Sequence, residues 1–213
     1  MTVGFLSVFV VLATLHVCAC VRGVKWLRTS TKPLLMPVLL AACLCSGAVS
    51  GFVIVALAFA TIGDVLLIGS AKGGRLMLGA GSFFFGHLAY VCALAPGIRL
   101  TAADWWTLLM ALLYVGIGYL LYRVVRQNLG PLRVLAVVYM VALEGMSLIA
   151  LLRYATMGSW PALMVFVGSL IFVASDFFMF IDEFHHKLTR GGFAIMLTYC
   201  LAQGLMVSGL IFG

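Results

Sequence analysis

The sequence predicts an all-α, polytopic membrane protein of eight transmembrane helices in a single domain, and three observations carry that expectation. Of its 213 residues, 65% are apolar and only 9% are charged, and the mean hydropathy is +1.23. That balance excludes a water-soluble domain. A spanning helix takes about 20 apolar residues, so a chain of this length holds about eight spans with short connections and little else. The cations, finally, fall almost entirely in alternate connections.

Breaks placed at charges, prolines and glycine clusters give the spans in order. The first, 2–21, lacks the basic start and small-residue cleavage site of a secretory leader and reads as a mature helix. Pro33 opens the second, 33–49, which is nearly fused at Ser50-Gly51 to the third, 51–69, so their turn is tight. The fourth, 76–95, stops before Pro96-Gly97, and the fifth, 105–122, stops before Arg123. The sixth, 131–151, ends ahead of Arg153. The seventh, 161–181, begins at Pro161 and ends before Asp182-Glu183, and the eighth, 191–212, follows Arg190. Halves of four helices, arranged as parallel repeats, are compatible with this order.

Arg22, Lys25, Arg28 and Lys32 fall in connection one, Lys72 and Arg75 in three, Arg123, Arg126 and Arg133 in five, and Lys187 and Arg190 in seven. Only Arg99 and Arg153 lie in even connections, so the positive-inside tendency predicts both termini outside the cytoplasm. The formal charge of +7 is thus topology information. It forms no basic stripe with interleaved aromatics, which argues against a nucleic-acid partner. Cys18, Cys20, Cys43, Cys45, Cys92 and Cys200 all fall inside spans; neighbours two apart point to different helix faces, so they read as buried thiols and not as metal ligands.

Ionisable groups at membrane depth are costly and mark candidate functional positions. Asp64 in the third span and Asp176 in the seventh each stand five residues before the predicted end, about 8 Å below it at 1.5 Å per residue. The return helices carry His87, Tyr139, Tyr199 and Gln203 to similar depth, with Tyr199 and Gln203 on one face by their spacing of four and Phe83, His87 and Tyr90 on another stripe. Together they predict a polar pocket opening toward the cytoplasmic leaflet. Asp64 to His87 and Asp176 to Tyr199 are both 23 residues apart, an internal echo that places the aspartates across a central axis. Glu144 and His16 are further polar groups within spans; Asp104, Asp182 and Glu183 fall at helix ends, where solvation accounts for them.

The stretches Thr31-Lys32-Pro33-Leu34, Ile62-Gly63-Asp64-Val65-Leu66-Leu67, Phe85-Gly86-His87-Leu88-Ala89-Tyr90, Phe172-Val173-Ala174-Ser175-Asp176 and Tyr199-Cys200-Leu201-Ala202-Gln203 resemble, in order, those of the lysoplasmalogenases, the YhhN-like membrane proteins. The resemblance implies a hydrolase that cleaves the vinyl ether of lysoplasmalogens to a fatty aldehyde and glycerophosphocholine or glycerophosphoethanolamine. It also implies that Asp64 and Asp176 are the family's intramembrane aspartates, and that His87 with Tyr90 and Tyr199 with Gln203 are its His-x-x-Tyr and Tyr-x-x-x-Gln segments.

The chemistry suits such a pair. Vinyl ethers hydrolyse by slow protonation at carbon followed by capture of an oxocarbenium ion by water, which calls for one protonated carboxyl and one carboxylate, as in glycosidases. No metal and no other cofactor is required. The expected partners are a lysophospholipid substrate and the membrane lipids, with Lys32 or a neighbouring cation meeting the phosphate. The expected location is a bacterial inner membrane, or the endoplasmic reticulum in a eukaryote. A proton-coupled transporter also uses intramembrane carboxylates and repeat halves; against it stands the absence of a proline-interrupted helix beside the aspartates. A structural factor, with polar groups serving only packing, is the third reading.

Overall fold

A computed structural model describes residues 1–69, 73–102 and 104–213; Lys72, one of the expected loop cations, lies outside the described residues. Its eight α-helices are α1 (Thr2–Arg22), α2 (Lys25–Ser46), α3 (Gly51–Leu66), α4 (Gly74–Leu94), α5 (Trp105–Val125), α6 (Arg133–Met157), α7 (Trp160–Phe184) and α8 (Gly191–Ile211). Short 3-10 turns precede α5 and α6. Among the described residues, seven helices are long and apolar enough to cross a bilayer. The apolar α3 is shorter, at 16 residues. Many large apolar side chains face outward, among them Val10, Leu112, Val115 and Val141, as a surface solvated by lipid requires.

Local signals explain most boundaries. Gly23 ends α1 and Gly158 ends α6 in the left-handed conformation, at φ 69° and φ 60°, which glycine adopts without a Cβ clash. Asp104 caps α5 by accepting from Thr107 N at 3.0 Å, and Ser159 caps α7 by accepting from Ala162 N at 3.3 Å; each satisfies a donor the helix start leaves free.

The second span differs from its expected bounds. Its helix starts at Lys25, eight residues before Pro33, and carries Pro33 and Pro37 inside it. The cations Lys25, Arg28 and Lys32 therefore belong to a helix and not to a loop. Hydroxyls of Thr29, Ser30 and Thr31 donate to the carbonyls of Lys25, Trp26 and Leu27 at 2.6 to 3.0 Å, reinforcing the turns ahead of the prolines. Intramembrane helices tolerate proline where neighbours and hydroxyls absorb the disrupted ladder. Helix α2 runs unbroken from Lys25 to Ser46 past both prolines, so it carries proline beside Lys32 without being interrupted by it.

Packing joins corresponding elements of the two halves. The hairpins α3–α4 and α7–α8 make the closest pairs, α4 packs on α6, and α8 packs on α2. Small residues allow the approach: a Cβ at Gly79 would lie 2.7 Å from Leu67, and one at Gly168 would lie 2.9 Å from the carbonyl of Ala202. The correspondence is incomplete at the periphery, where α1 packs on α8 while α5 rests on α6 and α7. The starts of α2, α4 and α8 meet the ends of α3 and α7 at one end of the bundle, called here the basic end.

Candidate active site

Asp64 is two residues from the end of α3, and Asp176 is eight residues from the end of α7. The equal five-residue offset expected from the sequence is not kept, because α7 runs further beyond the bundle and α3 stops early. The two carboxylates nevertheless line one small cavity of about 40 Å³ with Lys32, Ser175, Tyr199 and apolar neighbours. That volume holds about one water molecule. Asp64 is 2% exposed and Asp176 6% exposed.

Each carboxylate is held by one side chain from its own half and one from the other. Asp64 on α3 accepts a hydrogen bond from Tyr199 OH of α8 at 2.8 Å, and its second oxygen lies 3.7 Å from Lys32 Nζ of α2. Asp176 on α7 accepts from Tyr139 OH of α6 at 2.5 Å, and His87 Nε2 of α4 lies 3.7 Å away. With the Tyr139 proton given to Asp176, the phenol oxygen is left to accept from His87 Nε2 at 3.2 Å, which assigns the imidazole proton to that nitrogen. Among the described residues no lysine or arginine lies within 4.0 Å of Asp176.

Residues beside the aspartates fix these positions. A Cβ at Gly63 would lie 2.7 Å from the Phe83 ring, so glycine there lets Phe83 lie against α3 and meet Tyr199 edge-on at 5.9 Å. Ser175 donates to the Ile195 carbonyl at 3.1 Å and ties α7 to α8 next to Asp176. Phe172 stands between the halves, edge-on to His87 at 5.0 Å and to Tyr199 at 5.6 Å. Phe172 and the apolar neck residues Leu67 and Met196 carry no polar signal in the sequence; what they supply is shape.

The single pocket wall expected from the sequence is corrected. Tyr90 donates to Gln203 Oε1 at 2.7 Å, and both are 1% exposed, as is His87. None of these three lines the cavity that holds the aspartates. His87 and Tyr139 stand behind Asp176, and Tyr90 with Gln203 forms a separate bond one helical turn deeper, since each follows its partner on α4 or α8 by three or four residues. Glu144 of α6 lies against α5, where a Cβ at Gly118 would be 2.5 Å from its carboxylate, away from the aspartates. His16 bonds Thr31 Oγ1 through Nδ1 at 2.7 Å.

The small cavity lies beneath two wider ones at the basic end, of about 380 Å³ and 420 Å³. Lys32, Leu67 and Met196 line all three, so they form the neck between vestibule and carboxylates. Met179 lines the small cavity, the larger vestibule and an apolar cleft between α4, α6 and α7 that also includes Tyr139. The arrangement offers a charged mouth, a narrow neck and a base where two carboxyls face the same volume.

A family model, the YhhN family, matches residues 27–210. The chain belongs to the YhhN family. That match spans the helices that carry every residue of the paired-aspartate site, from Lys32 to Gln203, and leaves out the whole of α1. No curated protein and no solved structure matches the chain. As a YhhN protein with seven long apolar helices and a shorter eighth, it is a multi-pass membrane protein.

Proposed function

We propose that this YhhN protein is a lysoplasmalogenase, a membrane hydrolase that cleaves the vinyl ether of 1-alkenyl-glycerophosphocholine or -ethanolamine. The observation that carries the reading is the meeting of two buried carboxylates, from corresponding helices of the two halves, in one cavity beneath a charged vestibule.

Their surroundings suggest a division of labour. Asp64, with Lys32 on one oxygen and Tyr199 on the other, is the ionised member. Asp176, with Oδ2 occupied by Tyr139 and no lysine or arginine beside it among the described residues, carries the proton on Oδ1. Asp176 protonates the alkenyl carbon distal to the ether oxygen, and the π electrons form the new C–H bond. The resulting oxocarbenium ion is stabilised by Asp64, which takes a proton from the water that adds to it. The hemiacetal then collapses: its hydroxyl proton leaves, the carbon–oxygen bond to glycerol breaks, and the glycerol oxygen takes a proton back through the carboxyl pair. The net reaction consumes one water and releases an aldehyde and an alcohol. His87 and Tyr139 act as positioning residues behind Asp176, with Tyr90 and Gln203 supporting the layer below.

The basic end is assigned to the cytoplasmic side and both termini to the opposite side, by the positive-inside tendency. Cysteine-accessibility labelling of either terminus from the cytoplasmic side alone would overturn that orientation.

A proton-coupled carrier is the second reading, and Pro33 and Pro37 beside the Lys32–Asp64 pair favour it. Against it, α2 stays continuous from Lys25 to Ser46, with none of the unwound segments broken-helix carriers use. Purified protein given a vinyl-ether lysolipid should release aldehyde, and should release none from the saturated ether analogue. Absence of aldehyde, together with proton-driven uptake into proteoliposomes, would favour the carrier.

A further inference from the structure

We infer that Lys25 and Arg28, on the α2 face that leads down to Lys32, form the anion subsite for the phosphodiester of a single-chain lipid headgroup; the inference rests on the proposed lysolipid substrate.

Lys25, Arg28 and Lys32 follow one another at spacings of three and four, so they lie on one stripe of α2. All three line the cavity of about 380 Å³ at the basic end. The charges around this vestibule sort themselves. Lys32 is committed to Asp64. Lys187 on the far wall is committed to Asp182 at 3.2 Å and Glu183 at 3.0 Å. Arg75 donates to the carbonyls of Leu66 and Ile68 at the end of α3. Lys25 and Arg28 have no acidic partner among the described residues, so the uncompensated charge lining the cavity is positive and gathered on one wall.

A buried group marks the same wall. His16 is 2% exposed, yet its ring lines this cavity. Its Nδ1 is taken by Thr31. Thr31 gives its hydroxyl proton to the Leu27 carbonyl at 2.6 Å, so in the neutral imidazole Nδ1 carries the proton donated to Thr31 Oγ1 and Nε2 is an acceptor, and the donors on this wall are those of Lys25 and Arg28. The ligand group that Lys25 and Arg28 receive is an anion that accepts several hydrogen bonds, which describes a phosphodiester.

Spacing selects the headgroup of a lipid already held below. Arg28 lies one turn nearer the mouth than Lys32, about 6 Å of rise. That is comparable to the glycerol unit separating the ether from the phosphate of a lysolipid, so an ether at the aspartates places its phosphate at Arg28 and Lys25.

The test is equilibrium binding to the detergent-purified full chain, read without turnover. The ligands are a saturated alkyl-ether lysophosphocholine and the matching alkylglycerol, which lacks the phosphate. Lys25→Gln with Arg28→Gln should weaken the lysophosphocholine about tenfold or more, equivalent to about 1.4 kcal/mol or more, and leave the alkylglycerol unchanged; Arg28→Lys should keep most of the affinity. Glycerophosphocholine should compete, and inorganic phosphate at equal concentration should not. Equal binding of the lysophosphocholine by wild type and the double variant overturns the subsite, and competition by inorganic phosphate overturns its assignment to a lipid headgroup. Because these ligands cannot be hydrolysed at a vinyl ether, a failure to release aldehyde while the charge-dependent binding persists would count against the reaction and not against the subsite.

Discussion

Asp64 and Asp176 occupy corresponding places in the two halves, yet their neighbours differ in kind. Where α2 brings a lysine to Asp64, α6 brings a tyrosine to Asp176; where α8 brings a tyrosine to Asp64, α4 brings a histidine to Asp176. One carboxylate has a cation within ion-pair distance and the other sits at the end of a hydrogen-bonded chain of His87 and Tyr139. A repeat can therefore supply two carboxyls to one cavity while the flanking helices make them chemically unequal, which is the condition acid/base catalysis by a like pair requires.

The largest expected effect comes from removing either carboxyl. Asp64→Asn and Asp176→Asn keep the side-chain volume but can neither donate an acidic proton nor hold the negative charge, so each should lower aldehyde release about 10³-fold, within the range of general acid–base catalysis. Each protein should still purify folded, since an amide can hydrogen-bond in the same place. Near-normal turnover in either variant would return that residue to a packing role.

The comparison sharpens at the next level. Lys32→Met should lower kcat about 10- to 100-fold, the weight of one bond to a charged group, whereas Tyr139→Phe should produce a loss of that order on the other side while leaving Asp64 paired. If the two sides are unequal as described, Lys32→Arg should restore part of the Lys32 loss, because charge is what Asp64 needs, and His87→Gln should restore none of the Tyr139 loss. Steady-state kinetics of the four variants check this, and equal tolerance of charge removal on both sides would erase the proposed difference.

The smallest effect concerns the layer below. Gln203→Leu strands the hydroxyl of Tyr90 in the core, so it should cost about 1 to 3 kcal/mol of stability and change KM by less than about threefold, under 1 kcal/mol of ground-state binding. Thermal unfolding in detergent beside the aldehyde assay separates the two. A large rise in KM with unchanged unfolding would put Gln203 back against the substrate.

That last expectation reverses what the sequence alone suggests, and the reason is physical. Spacing of four places Tyr199 and Gln203 on one face of α8, but a helical turn of rise separates their levels, and only packing tells which level meets the cavity. The aspartates were legible because ionisable residues are rare at membrane depth, and the eight-helix order was legible from apolar runs and alternating cations. The start of α2 was not. Pro33 and the cations before it look like a loop, whereas a bilayer helix accepts both when its charges reach the interface and its hydroxyls shore up the backbone. Lys32 was marked as a phosphate ligand; its pairing with Asp64 needed the three-dimensional meeting of α2 and α3. Phe172 and Met196 carry no polar signal, and their place between halves and at the neck follows from packing alone.

The most direct test of the central claim is a double-mutant cycle in aldehyde release, comparing Asp64→Asn, Asp176→Asn and the variant carrying both. If the two carboxyls work as one acid/base unit, the double variant is little worse than either single one, because removing the second part of a broken unit costs almost nothing further. Losses that multiply, or a single variant that turns over near the wild-type rate, would contradict it.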